Sequence, residues 1–128
     1  MNTLIIDNYD SYTFNLYQQA SCFTKNITVL RNSTPPDIIK QLITLFKFII
    51  ISRIFINLKQ SAGPGNPTAD FGICNLVIEL ALEYSIPLLG VCLGHQGIAN
   101  YFNNPIIHAS EPMHGRLSFF CILLYTFV

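Results

Sequence analysis

Four short apolar runs, at residues 4–6, 27–30, 46–51 and 88–91, alternate with stretches in which apolar residues recur every three or four positions. That order constrains the fold strongly, because strands separated by helices become parallel neighbours joined by helical crossovers. The helical stretches run through Phe14, Leu16, Tyr17 and Ala20, then through Ile38, Ile39, Leu42, Ile43 and Leu45. A third runs through Ile73, Val77, Leu80, Ala81 and Tyr84, opening at Thr68 or Asp70 and ending near Ser85 before Pro87. Asp10 or Ser11 is placed to cap the first helix, and Pro35 and Pro36 to open the second, where a missing N–H has no partner to lose. The third apolar run is interrupted by Lys47 alone, as suits a strand covered on both faces. The expected fold is α/β, an open and mostly parallel sheet with helices on both faces. Ligands of such sheets gather beyond the carboxyl ends of the strands.

Composition narrows the function. A chain of 128 residues suits one domain, taken here as residues 1–128. Seven Lys plus Arg balance seven Asp plus Glu, and the absence of a basic stripe argues against nucleic acid as a partner. Charged residues make up 11% of the chain against 51% hydrophobic, well below the usual quarter, so apolar surface is expected to need a cover. The four cysteines, Cys22, Cys74, Cys92 and Cys121, form no Cys-x-x-Cys pair, which suggests neither a zinc site nor a disulfide framework. No metal and no cofactor is expected. The first residues carry no basic region or cleavage site, and the apolar tail at 119–128 is ten residues long, half of what crosses a bilayer. A cytoplasmic protein without membrane contact is the simplest expectation.

The fourth run delivers Cys92 into Gly90-Val91-Cys92-Leu93-Gly94, followed by His95 and Gln96. Glycines two residues to either side let a strand turn sharply into a helix and push the thiol outward. Partial positive charge at the helix N-terminus favours thiolate, and the same amides can hold an oxyanion. A cysteine buried between packing glycines is the competing reading, and a redox thiol or simple cysteine hydrolase is another. A second feature, Gly63-Pro64-Gly65-Asn66-Pro67, lies upstream and has no use in redox chemistry.

Residues 4–18 (LIIDNYDSYTFNLYQ), 63–74 (GPGNPTADFGIC), 86–99 (IPLLGVCLGHQGIA) and 111–118 (EPMHGRLS) together resemble the class I, triad-type glutamine amidotransferases. Within that family the resemblance is to the glutaminase parts of the chorismate-aminating synthases. Arg116 leans towards the para-aminobenzoate branch of folate biosynthesis, since lysine often stands there in the anthranilate branch of tryptophan biosynthesis. The resemblance implies a flavodoxin-like fold with its C-terminal part missing. It also implies a glutaminase that hands ammonia to a chorismate-using synthase, as a separate chain or a fused domain. Cys92 would be the nucleophile, Leu93 an oxyanion donor, and Gly63, Pro64, Gly65 and Gln96 the glutamine-binding positions. His95 matches a structural histidine, and His108 and His114 match no base. The family's catalytic His-Pro-Glu does not occur in this sequence, so an inactive fragment is the alternative expectation. Two stretches depart from the family pattern: residues 53–61 stand as an insertion before the glycine-proline loop, and residues 119–128 as an atypical tail. Ser52 and Ser61 each fit the family's serine before that loop.

Overall fold

In the computed structural model of the chain, residues 1–9, 13–54 and 71–104 are described, the side chains of Arg53, Ile54 and Leu93 excepted. The first strand, β1 (Asn2–Asn8), buries Leu4, Ile5 and Ile6 completely. Helix α1 (Thr13–Ser21) follows, then β2 (Asn26–Arg31), helix α2 (Pro36–Leu42) with a 3-10 turn at Ile43–Leu45, and β3 (Phe48–Ile54). Helix α3 (Cys74–Glu83), β4 (Leu88–Gly90) and helix α4 (Leu93–Tyr101) complete the order. Among the described residues the sheet has four strands in the order β2-β1-β3-β4, and every neighbouring pair is parallel. The chain leaves β1 towards β2 and returns to the other side of β1 with β3. That places the topological switch, where such sheets bind ligands, at the carboxyl ends of β1 and β3.

Alternating side chains divide the two faces. Leu4 and Ile6 of β1 and Ile49 and Ile51 of β3 face a core closed by Ile39 of α2, Val77 and Ile78 of α3, and Phe71, with Ile98 and Tyr101 of α4 packed against it. Each such side chain, fully buried, contributes roughly 1.5–3 kcal/mol, so this face anchors the sheet. On the opposite face lies α1. Between α1 and the sheet runs an apolar groove of about 360 Å³, lined among others by Leu16, Ala20, Phe23, Phe48 and Leu89. Phe23 is 88% exposed and Leu89 47%, the uncovered apolar surface that the low charge content foreshadows.

The sequence reading places all four strands and all four of its helices, the one after Cys92 included, with shifted bounds. Pro36 occupies the first turn of α2 as expected, and Pro35 is its N-cap. The third helix begins at Cys74, later than Thr68 or Asp70, because Gly72 adopts φ +51°, which a right-handed helix does not contain. Gly72 also lies against the main chain of Asn32, where a Cβ would come within 2.5 Å of the carbonyl oxygen. Ile73 N–H donates to that same oxygen at 3.0 Å. The third strand starts at Phe48 and runs on to Ile54, so Ser52 is a strand residue and Arg53 and Ile54, the first two of the apparent insertion, are too. Asp10, Ser11, the rest of that insertion and the tail at 119–128 lie outside the described residues.

Candidate active site

β4 is three residues long because Gly90 ends it and the chain turns at once into α4. Cys92 is the N-cap of α4, with φ 56° and ψ −112°, and it is exposed. For a residue with a Cβ this backbone costs about 1–3 kcal/mol, and it persists where its surroundings hold it. Three features hold it here. Val91 N–H donates to the Ile51 carbonyl at 3.0 Å, Gly94 N–H closes the turn on the Val91 carbonyl at 3.0 Å, and Gln96 N–H begins the helix on the Cys92 carbonyl at 3.2 Å.

The glycines on either side act as the sequence suggests. A Cβ on Gly90 would lie 2.5 Å from the amide nitrogen of His95, and one on Gly94 would run into the Ile51 carbonyl oxygen. The strand end, the turn and the first helical turn therefore occupy space that no larger residue leaves free. Leu93 is the first residue of α4, whose leading amides have no partner within the helix. Gln96, half-buried, lies four residues beyond Cys92, about one helical turn away on the same side. His95 is exposed. Gly63, Pro64, Gly65, His108, His114 and Arg116 lie outside the described residues, so Cys92, Leu93 and Gln96 are the expected site residues seen together.

The strain at Cys92 can be measured through two variants that both lack sulfur. Cys92→Gly should be more stable than Cys92→Ala by about 1–2 kcal/mol in urea unfolding, since glycine alone adopts this backbone freely. Equal stabilities would mean that the turn relaxes to negative φ.

Asp7-Asn8-Tyr9-Asp10 reads from the sequence as a loop, a helix cap or a surface for the synthase, but Asp7 and Asn8 belong to β1, and the partners that Asn8 gathers were not foreseen. Asn8, 1% exposed, closes β1 at the switch point and reaches three ways. Its N–H donates to Ser52 Oγ at 3.2 Å and its Nδ2 to the Ser52 carbonyl at 2.8 Å, while its Oδ1 accepts from the Cys74 thiol at 3.4 Å. Burial pushes the Cys74 thiol up to about 12, against which the Asn8 hydrogen bond works weakly. Beside it, Thr13 Oγ1 donates to Asp7 Oδ1 at 2.7 Å and ties the start of α1 to β1. The available signal was a pair of polar residues ending an apolar strand, which equally describes a loop.

With this geometry in place, the family model for class-I glutamine amidotransferases matches residues 4–120. The chain is a class I glutamine amidotransferase family member. It is 42% identical over 125 residues to the chloroplastic aminodeoxychorismate synthase of Arabidopsis thaliana, covering 92% of the chain and 12% of that protein. It is 43% identical over 122 residues to anthranilate synthase component 2 of Methanothermobacter marburgensis, covering 90% of the chain and 56% of that protein. Among solved structures, a Thermoplasma acidophilum protein described as a GMP synthase component superposes with a TM-score of 0.61 at 18% identity. That match covers 90% of this chain and 52% of the other, and it supports the amidotransferase fold. The chain thus spans 56% of that anthranilate synthase component and 12% of that aminodeoxychorismate synthase. No helix among the described residues is long and apolar enough to cross a membrane, and no group of three or more His, Cys, Asp or Glu there is placed to hold a metal ion.

Proposed function

We propose that this chain carries the nucleophile half of a glutaminase that supplies ammonia for amination of chorismate, on the para-aminobenzoate side. The exposed, left-handed Cys92 at the head of α4 carries the reading. The Cys92 thiolate attacks the side-chain amide carbon of glutamine, and the amide of Leu93 helps hold the resulting oxyanion. Collapse breaks the C–N bond, ammonia leaves with the proton that the thiol gave up, and a γ-glutamyl thioester remains for water to cleave to glutamate. Gly63, Pro64, Gly65 and Gln96 are the proposed glutamine-binding positions. The partner is a chorismate-using synthase, as a separate chain or a fused domain, and the dispersed thiols favour the cytoplasm. Relatives named anthranilate synthase component 2 keep the tryptophan branch as the second reading.

The decisive experiment treats the 128-residue protein with a glutamine-like diazoketone and locates the adduct by mass spectrometry. Labelling at Cys92 that free glutamine suppresses, and that Cys92→Ala abolishes, is the expected result. Labelling that glutamine leaves untouched would overturn the reading. Steady ammonia release should be weak, because the sequence holds no His-Pro-Glu and acid-base assistance is worth roughly 10²- to 10⁴-fold. Adding the two purified synthase types in turn, and asking which one binds the chain, separates the two branches.

A further inference from the structure

We infer that Asn8 is a positioning residue for Cys92, acting through the end of β3. The inference rests on Cys92 being the nucleophile, and it begins with the Ile51 carbonyl. That oxygen accepts from Val91 N–H at 3.0 Å and is the surface on which Gly94 sits, so the whole turn around Cys92 leans on it. The regular ladder fails there. Between Ile6 and Asn8 the β1–β3 register slips by one residue, from Ile6 opposite Ile51 to Asn8 opposite Ile54. Such a bulge bends the strand.

Asn8 spans the irregularity. Its main-chain amide and its side-chain amide both grip Ser52, the residue next to Ile51, at 3.2 and 2.8 Å. The third arm, from the Cys74 thiol, holds the first residue of α3. Helix α3 packs beside α4, and Phe71, just before α3, lies against Gly97 of α4. One buried asparagine therefore fixes both supports of the helix that presents Cys92. Without it, the Ser52 peptide loses its side-chain bond and the Ile51 carbonyl can swing. The strained Cys92 backbone can then relax and re-aim the sulfur.

The test reads Cys92 alone, by following iodoacetamide modification of its peptide against pH. In Asn8→Ala the rate at pH 7 should fall about tenfold relative to the parent. Ser52→Ala removes the Oγ acceptor and leaves the carbonyl, and a drop of about threefold in the same direction is expected. A merely structural asparagine would lower the urea midpoint and leave the profile of the folded protein unchanged. That result in Asn8→Ala overturns the inference. Should Asn8→Ala not fold, a wild-type profile in Ser52→Ala overturns it instead. Because iodoacetamide needs no glutamine pocket, this outcome is independent of whether glutamine protects Cys92 from the diazoketone.

Discussion

Gly94→Ala is expected to destabilise the protein by about 3 kcal/mol and to distort the turn that presents Cys92. The added methyl meets the Ile51 carbonyl oxygen, and it would lie 3.0 Å from the carbonyl carbon and 3.1 Å from Cγ2 of the same residue. Overfilling a packed site costs about 1–3 kcal/mol when side chains can yield. Here the main obstacle is main chain, in the middle of a strand in which Ile49, Ile51 and Ser52 are fully buried, so the upper end of that range applies. Gly97→Ala provides the contrast. Its methyl meets the ring of Phe71, within 2.5 Å of Cε1, so truncating Phe71 should relieve the clash. In urea unfolding, the Phe71→Ala background should make Gly97→Ala nearly neutral, while truncation of Ile51 should leave most of the Gly94→Ala loss in place. A Gly94→Ala protein as stable as the parent would show that α4 can lift off β3.

The second large effect is alkaline. Cys74 rises from an ordinary 9.0 to about 12 in the folded state, through burial. The folded protein therefore binds the thiol proton more tightly than the unfolded chain. Below pH 9 both states keep the proton and the full contribution is present. Between pH 9 and 12 the unfolded chain releases it while the folded protein does not, and stability drains away. Three pH units correspond to roughly 4 kcal/mol, about half of it lost by pH 10.5. The difference in urea stability between the parent and Cys74→Ala should shrink accordingly from pH 8 to pH 10.5. Parallel curves would count against it. Cys74 should also resist alkylation at pH 8 by about a thousandfold relative to an ordinary thiol of pKa 9.

The strands and the turn at Cys92 were legible because each is a local pattern. A run such as Leu4-Ile5-Ile6 has one reading within an alternating chain, and Gly-x-Cys-x-Gly between a strand and a helix encodes its own geometry. The resemblance to glutamine amidotransferases was legible for the same reason, as four stretches in a fixed order. Bounds were harder. Ser52-Arg53 reads as the end of a strand, yet β3 continues because β1 remains beside it through Asn8 and Ile54. The late start of α3 depends on the positive φ of Gly72, set by the main chain of Asn32, forty residues away in sequence. The Asn8 cluster was the least legible feature. Its partners are 44 and 66 positions distant, and nothing in a polar residue at a strand end says which distant groups it will meet.

The backbone at Cys92 bears on how the proposed chemistry can be lost in a lineage. Cysteine and glycine codons differ by a single base, and at this position glycine is the residue that the turn prefers. Drift can therefore erase the sulfur without harming, and even while improving, the integrity of the domain. Purifying pressure on position 92 must then come from the proposed reaction and not from folding, so a descendant with glycine there would be a well-folded copy without that nucleophile.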